Sequence, residues 1–379
     1  MRYYLPGYKS GGPVRTITNM VAALGDELDF RLVTSDRDAT DTMPYPDLGV
    51  DRGWLEVGKA KVLYLSPSQI KLRNIARIIG DIPHDTLYLN SFFDPTFTLK
   101  PLLARRLGLA PKMRCVIAPR GEFSEGALKL KSARKKAFLW ASGGTGLYSD
   151  LEWHASSVYE EADIQRALGA SARKINVASD LPGMTPGEPP AFSPRAADEP
   201  LRIIFLSRIS PMKNLDFALQ MLRQVKIDVQ FDVYGAANDN GYLSRCLSLM
   251  KTLPSNISAK YKGPVDHRDV INILSRYDLF LLPTLGENYG HVIYEALAAG
   301  TPVLISDTTP WGNLVGAGVG WELPLGKPEA FAEKIERAAE LTGDEHKQMR
   351  IRAALFAKKH SMDMGVIDAN RRLLGQGKF

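Results

Sequence analysis

Cysteine is scarce in this chain, with only Cys115 and Cys246 among its 379 residues. The two lie far apart in the sequence, and no Cys/His cluster has the spacing of a zinc site, so neither a disulfide framework nor structural zinc is expected. This sparse use of cysteine is typical of proteins in a reducing compartment. We therefore expect a cytoplasmic protein.

Long apolar runs are also missing, because none approaches the roughly 20 residues that a membrane-spanning helix needs. The N-terminus carries no signal-peptide pattern and predicts a strand that begins almost at residue 1. If the protein works at a membrane, we expect it to visit the inner face. The sequence shows no repeat below the size of a domain.

Length and charge bound the remaining possibilities. A chain of 379 residues predicts two domains, and a hydrophobic content of 45% is ample for two buried cores. The net charge of +6 and the pI near 9.1 favour anionic partners. Nucleotides, membranes and nucleic acids all fit this charge, which does not decide among them.

Short apolar strands alternate with helices on both sides of a proline-rich segment. This segment, Leu181–Pro200, holds six prolines and predicts a linker. Repeated strand–helix units predict parallel sheets, so we expect an α/β fold with two Rossmann-like domains, 1–180 and 201–359, facing each other across a cleft. The predicted strands are Phe30–Thr34, Lys61–Leu65, Thr86–Leu89, Arg114–Ala118 and Lys174–Val177, then 202–207, 229–234, 257–262, 278–283 and 302–306.

The most informative segment runs from residue 283 to residue 306 and contains two carboxylates eight residues apart, Glu287 and Glu295. A strand buried on both faces precedes them, and residues 290–299 predict a helix that stops at Gly300. Glu295 lies at the edge of the apolar stripe of this helix. Solvated charges at a helix end are the alternative, but the buried pattern on both sides favours a site.

The start of this helix predicts an anion site. Amides there have no acceptor within the helix and the helix dipole is positive, so a diphosphate is favoured. The amides concerned belong to Asn288, Tyr289, Gly290 and His291. Glu295, further along the helix, is better placed to accept hydrogen bonds from the paired hydroxyls of a ribose. Glu287, in the preceding loop, can meet another polyol such as a sugar.

Two further places suit phosphate. Arg208 and Lys213 lie five residues apart beyond the carboxyl end of the strand predicted at 202–207, where α/β sheets bind ligands. Near the N-terminus, Gly11 and Gly12 open a helix predicted from Pro13 to Leu24, and glycine lets a phosphate approach the backbone closely. Taken alone, Arg208 and Lys213 could be a surface pair, and Gly11 and Gly12 could form a plain turn.

The segment with Glu287 and Glu295 resembles the Glu-x7-Glu signature of retaining glycosyltransferases of family 4, which have the GT-B fold. The resemblance extends over nearly the whole chain and is to the type that builds bacterial surface polysaccharides. It implies transfer of a sugar from a nucleoside-diphosphate sugar, with UDP favoured, to a glycan or polyprenyl-linked glycan. It implies retained anomeric configuration, no metal, no cofactor and no nucleic-acid partner.

The same resemblance implies roles for individual residues. Arg208 and Lys213 would hold the donor phosphates and steady the departing diphosphate. The sugar ring would contact Glu287, the ribose would contact Glu295, and the Gly11–Gly12 loop would face the donor phosphate. The last helix, near residues 360–379, would cross back onto the first domain.

Two weaker elements also resemble the family. Residues 262–265 resemble the loop whose backbone, here at Gly263 and Val265, reads the nucleobase, although a strand-ending turn is the alternative. Many family members carry a histidine in the cleft where this chain has Arg120, so the role of that histidine is not carried over. Arg120 would touch the donor sugar or the acceptor, or is a loop arginine.

The helix that follows Arg120 is basic. Its cations are Lys129, Lys131, Arg134, Lys135 and Lys136. Apolar residues, among them Trp140, lie close by in the sequence, so this helix suits the surface of an anionic membrane. A solvated helix face is the alternative.

Three other functions remain open at this point. A nucleic-acid glucosylating or binding protein is suggested only by the charge and would bind DNA with a steep salt dependence. A sugar-nucleotide epimerase shares the fold and would turn over the donor without an acceptor. A non-catalytic sugar-nucleotide-binding protein would bind the donor without releasing UDP.

Overall fold

The computed structural model describes the chain except for residues 47, 49–52, 130–131, 184–191, 193–194, 197, 238 and 376–379. The described residues form two compact units. Unit 1 contains Met1–Leu181 and the C-terminal segment from Met364, and unit 2 contains Pro182–Asp363. Much of the segment predicted as the linker therefore lies outside the described residues.

Unit 1 alternates helices and strands around two sheets. In chain order its elements are α1 (Gly12–Leu24), β1 (Phe30–Ser35), β2 (Leu55–Val57), β3 (Ala60–Leu65), α2 (Leu72–Asp81), β4 (Thr86–Asn90), α3 (Leu99–Arg106), β5 (Arg114–Ala118), α4 (Glu125–Lys129), α5 (Ser132–Thr145), β6 (Glu152–Ala155), α6 (Val158–Leu168) and β7 (Ile175–Val177). The strands pair in the orders β1-β3-β2 and β4-β5-β6-β7. Among the residues that the structure describes in unit 1, all pairs are parallel except β2 with β3.

Unit 2 is built on a parallel sheet. Its elements are β8 (Leu201–Leu206), α7 (Leu215–Leu222), β9 (Val229–Tyr234), α8 (Asn240–Met250), β10 (Ile257–Gly263), α9 (Val270–Leu274), β11 (Leu279–Leu282), α10 (His291–Ala298), β12 (Val303–Ser306), α11 (Leu314–Ala317), β13 (Gly320–Leu323), α12 (Pro328–Glu340) and α13 (Gly343–Ser361). In the described part of the chain these strands pair in the order β10-β9-β8-β11-β12-β13. Every residue of β11 and β12 is buried, as expected for strands covered on both faces.

The final helix, α14 (Met364–Leu374), belongs to unit 1. Leu373 is 2% exposed and packs with Val116 of β5 and Ala178. Arg371 forms a two-pronged ion pair with Glu27, and the side chain of Arg114 donates to the carbonyl oxygen of Leu373 at 2.8 Å. The end of the chain thus completes the packing of the β4–β7 sheet.

Several sequence predictions need correction. The predicted N-terminal strand is wrong: residues 1–4 form no strand, although the amide of Ser35 donates to the carbonyl oxygen of Arg2 at 3.0 Å. An extended segment with so few ladder hydrogen bonds stays outside the sheet. The sequence patterns also missed β2, which pairs antiparallel across a short turn at Gly58, and the short strand β13.

We expect Leu373→Ala to destabilise unit 1 and leave unit 2 unaffected. Truncating a buried leucine costs about 2–5 kcal/mol, because the site cannot close the cavity completely. Amide hydrogen exchange in β5 and in β11 would report the two units separately. Leu355→Ala, at an exposed position of α13, is the matched control and should change neither unit by more than about 0.5 kcal/mol. Equal acceleration of exchange in β11 would contradict this account.

Candidate active site

The order of the strands in the sheet of unit 2 reverses between β8 and β11. From β8 the chain builds outward through β9 and β10, whereas β11, β12 and β13 build outward on the other side. The two central strands are parallel neighbours, with Ile203 opposite Leu279 and Ile204 opposite Phe280. Loops that leave such a pair diverge and open a crevice at the carboxyl edge, where open α/β sheets bind ligands.

The loops after β8 and β11 are joined at this edge. The hydroxyl of Thr284 donates to the carbonyl oxygen of Met212 at 3.0 Å, and the amide of Leu285 donates to the same oxygen at 2.9 Å. Lys213 and Glu287 form an ion pair, with side chains only 11% and 10% exposed. The structure thus brings together two predicted site residues that lie far apart in the sequence.

Charge is distributed unevenly across this edge. The pair of Lys213 with Glu287 is internally balanced, and losing either member of a buried ion pair costs about 3–5 kcal/mol because a charge is left uncompensated. Arg208, in contrast, is exposed, and no carboxylate among the described residues pairs with it. This guanidinium is therefore available to an anion at the crevice.

Helix α10 begins beside the same crevice. Its N-cap is Gly290, with φ 82°, and glycine has no side chain with which to cap the first turn. The left-handed conformation favours glycine here, and a Cβ would also lie 2.9 Å from Ile293 Cδ1 and 3.3 Å from Trp311 Nε1. The positive end of the helix dipole faces the loop of Asn288 and Tyr289.

Glu295 lies on α10 and is 7% exposed. Its carboxylate oxygen Oε1 is 4.0 Å from Nδ1 of His267, in the short helical turn after β10. Sequence reasoning missed His267, because its position relative to Glu295 depends on how two separate loops fold. A buried carboxylate next to a half-exposed imidazole forms a polar corner that can accept hydroxyl groups.

One glycine, Gly235, lies between the predicted nucleobase loop and the end of β8. Gly263 accepts a hydrogen bond from the amide of Gly235 at 2.8 Å, and Val265 packs partly buried against the core. Gly235 has φ 145°, and a Cβ there would lie 1.7 Å from the carbonyl oxygen of Ser207. Only glycine lets the end of β9 approach the residue before Arg208 this closely. Sequence reasoning missed Gly235, although a glycine directly after a predicted strand is a usable signal.

The glycine loop of unit 1 has a firm backbone. The carboxylate of Asp38 accepts hydrogen bonds from the amides of Tyr8 and Lys9 at 2.8 and 3.0 Å. Gly11, with φ 65°, is the N-cap of α1, and a Cβ on Gly12 would meet no heavy atom within 4 Å. The start of α1 therefore combines a helix dipole with room beside the backbone.

Arg120 is buried in unit 1 rather than exposed in a loop. It donates to Asn90 at 3.1 Å, to Tyr88 at 2.7 Å and to Asp180 at 2.5 Å, and its side chain is 6% exposed. Burial by itself lowers the pKa of Arg120, but the negative charge of Asp180 raises it overall. These bonds occupy much of its donor capacity inside the protein, and contact with a sugar stays a prediction.

The ion pair of Arg120 continues into a wider network. The hydroxyl of Tyr88 lies 2.5 Å from Nδ1 of His154, whose Nε2 is 2.7 Å from the carbonyl oxygen of Ala178. Burial, and then the charge of Arg120, lower the pKa of His154 to about 4, so this ring is neutral at pH 7. No role was predicted for Asp180, because nothing in its sequence neighbourhood identifies a buried partner.

The basic segment is only partly described. Lys131 lies outside the described residues, as do the side chains of Lys129, Arg134 and Lys136. Lys135 donates to the carbonyl oxygen of Ala127 at 2.7 Å and its ammonium nitrogen is 5.2 Å from the centroid of the Phe93 ring. Trp140 is 85% exposed. Among the described residues, no helix is both long and apolar enough to cross a membrane.

Comparisons with known proteins point to one family. The model of the family described as "Glycosyl transferases group 1" matches residues 191–355. Among curated relatives, a phosphatidyl-myo-inositol mannosyltransferase of Mycobacterium leprae is 27% identical over 45% of this chain and 44% of its own length. An amylovoran biosynthesis glycosyltransferase of Erwinia amylovora, AmsK, is 28% identical over 47% of this chain and 45% of its own length. The chain thus spans less than half the length of these relatives.

Solved structures share the fold over almost the full length. HepE of Anabaena, solved in complex with UDP and glucose, superimposes with a TM-score of 0.67 at 15% identity. The match covers 98% of this chain and 97% of HepE. The resemblance noted in the sequence is confirmed: residues 191–355 are similar to the glycosyl transferases group 1, and the chain has the GT-B fold.

Proposed function

We propose that the chain is a retaining glycosyltransferase that moves a sugar from a UDP-sugar to a glycan or lipid-linked glycan acceptor in bacterial polysaccharide biosynthesis. The observation that carries this proposal is the convergence of Arg208, Lys213 and Glu287 on the crevice between β8 and β11. Support for the donor comes from HepE, solved with UDP and glucose, and support for the pathway comes from the name of the Erwinia relative.

In this proposal the diphosphate lies against the cationic side of the crevice. Charge that develops on the leaving diphosphate is stabilised by Arg208, by Lys213 and by the start of α10, which are in place before the reaction begins. These groups carry the charge without a metal ion. Gly11 and Gly12, at the start of α1 in unit 1, are further candidates for contact with a donor phosphate.

Glu287 links the phosphate end of the donor to its sugar end. One oxygen of this carboxylate holds Lys213, and the group can also accept hydrogen bonds from the hydroxyls of the transferred sugar. Glu295 accepts the ribose hydroxyls, and the backbone at Gly263 and Val265 reads the base. Arg120 remains a weaker candidate for contact with the sugar or the acceptor.

Transfer with retained configuration requires attack on the same face that the diphosphate leaves. The bond from the anomeric carbon to the diphosphate oxygen breaks as the acceptor oxygen forms a new bond to that carbon. The acceptor proton passes to the leaving phosphate oxygen, so UDP departs and no side chain acts as a strict general base. Each added charge contact that strengthens in this step raises kcat.

The first test is release of nucleoside diphosphate from a panel of UDP-, GDP- and ADP-sugars, with bacterial membrane extract as the acceptor source. We expect release from a UDP-sugar that depends on the extract, persists in EDTA and disappears in Glu287→Gln. Conversion of the donor without extract would identify an epimerase, and binding without release would identify a sugar-nucleotide-binding protein. The anomeric coupling constant of the product, read by NMR, would verify retention.

Glu295 and Lys213 should affect different kinetic constants. We expect Glu295→Ala to raise the donor KM strongly, because the ribose contact is made before and during transfer. Lys213→Ala should chiefly lower kcat, by about 100-fold or more, the usual cost of a lost charge-stabilising group. Steady-state kinetics would separate the two effects.

The controls for these variants are Glu340→Ala and Lys347→Ala, which remove the same side-chain types at exposed positions of unit 2. Thermal unfolding would show whether the loss of a buried partner has also destabilised Lys213→Ala. Normal KM and kcat in both Glu295→Ala and Lys213→Ala would refute the proposed site.

We also propose that the basic segment Glu125–Thr145 rests on an anionic membrane at the inner face. Exposure of Trp140 supports this placement, because tryptophan favours the membrane–water interface. Lys135 is already engaged with Ala127 and Phe93, so its neighbour Lys136 is the better residue to change.

Lys136→Glu combined with Trp140→Ser should weaken binding to vesicles that contain anionic lipid. The loss should be about fivefold or more, since one cation near an anionic surface contributes about 1 kcal/mol. Co-sedimentation with vesicles measures this change, and Lys347→Glu, an exposed charge reversal in unit 2, is the control. Unchanged binding in the double variant would exclude this segment as the contact.

A further inference from the structure

The chain enters and leaves unit 2 close to α10, the helix whose start is proposed to bind the diphosphate. It enters at Pro182 and leaves at Asp363. At the entry, the hydroxyl of Tyr294 on α10 donates to the carbonyl oxygen of Gly183 at 3.0 Å. Near the exit, the ring of His360, in the last turn of α13, lies 4.8 Å from the ring of Trp311, measured between centroids.

Trp311 connects these two places with residues 288–291, which are proposed to bind the diphosphate and are here called the diphosphate loop. Its Nε1 donates to the carbonyl oxygen of Tyr289 at 2.6 Å, in the residue directly before the N-cap of α10. The Tyr289 ring lies 5.6 Å from the ring of Trp311 and 6.1 Å from that of His360, and the Tyr294 ring lies 6.4 Å from Trp311. Trp311 is 5% exposed, so this group of rings is tightly enclosed.

We propose that Tyr294, Trp311 and His360, together called the connection cluster, are positioning residues that couple the diphosphate loop to both chain connections of unit 2. The inference rests on the proposed donor site. It adds that an event at residues 288–291 reaches the two connections through side chains in direct contact, and not through the sheet.

The physical reason is dense packing. A diphosphate that draws in the amides of Asn288 to His291 moves the carbonyl group of Tyr289, which is held by Trp311. Because Trp311 is enclosed, it has no free volume in which to absorb such a shift, and the rings of Tyr294 and His360 must respond. Packed contacts of this kind can carry coupling between sites through a continuous chain.

The same arrangement explains features that binding alone does not require. Closing the first turn of α10 needs only Gly290, yet a buried tryptophan from the loop after β12 also holds the preceding carbonyl group. A phenol at position 294 reaches out of the helix to a backbone oxygen at the point where the chain enters the unit. Both contacts are expected if residues 288–291 and the chain connections of unit 2 move together.

Tyr294→Phe tests the entry side, because it removes the hydroxyl and keeps the ring. We expect the Kd for UDP to stay within about twofold of the unmodified protein, while kcat falls at least about fivefold, the lower end of typical coupling between sites. A fluorescence distance change between one dye on each unit, seen on adding UDP to the unmodified protein, should also be reduced.

Tyr234→Phe is the matched control, because it removes a phenol hydroxyl that contacts Tyr277 elsewhere in the same unit. An unchanged kcat in Tyr294→Phe, or an equal loss in Tyr234→Phe, would overturn the inference. So would a distance change that is absent from the unmodified protein although UDP binds.

His360→Ala tests the exit side without any nucleotide. We expect faster hydrogen exchange of the amides at residues 289–291, while the exposed neighbour Lys359→Ala leaves them unchanged. Trp311→Phe should accelerate the same amides if His360→Ala proves poorly folded. Unchanged exchange in folded variants would overturn the coupling. Failure of the protein to bind any nucleoside diphosphate would overturn the proposed function, and the exchange experiment, which uses no nucleotide, would then still test the coupling.

Discussion

The parallel pairing of β8 with β11 is the constraint on which the candidate site depends. It brings the loop of Arg208 and Lys213 next to the loop of Glu287, and the carbonyl oxygen of Met212 fastens them with two hydrogen bonds. The ion pair between Lys213 and Glu287 then forms at low exposure. Such a pair contributes little net stability, since desolvation offsets most of the attraction. The ion pair instead fixes an ammonium group and a carboxylate side by side at the edge of the sheet, where the order of the strands reverses.

Glycine sets how closely the backbone segments around this edge can approach. Gly235 lets β9 lie against Ser207, which holds the backbone next to Arg208, and Gly290 lets α10 begin against Trp311. Both residues have positive φ, so a larger residue would be strained as well as crowded. The cations and carboxylates supply the chemistry, but their separation is determined by positions that have no side chain at all.

The sequence predicted the architecture more fully than the contacts. Buried parallel strands are continuous apolar runs, so β5 and β9 have the predicted bounds and the other predicted strands differ by a residue or so. The sequence pattern did not predict β2, which is short and pairs only with its neighbour β3. It wrongly predicted a strand at residues 1–4, an extended segment that makes few hydrogen bonds. The signature residues Glu287 and Glu295 were visible because they interrupt an apolar pattern. Their neighbours Lys213 and His267 are brought close by the tertiary fold, which spacing in the sequence cannot reveal.

The buried network of unit 1 follows from the chemistry of arginine. Many members of the family carry a histidine where this chain has Arg120, and a histidine can be buried neutral. An arginine stays charged at any pH that proteins experience, so burying it requires a permanent counter-ion. Asp180 meets this requirement at 2.5 Å. Arg120 also has φ 57°, a conformation that costs a non-glycine residue about 1–2 kcal/mol, and its several hydrogen bonds offset that cost. His154 is neutral at pH 7 and so adds no charge to this network. Arginine and aspartate therefore act as one unit here, and replacing only one of them would leave a buried charge without its partner.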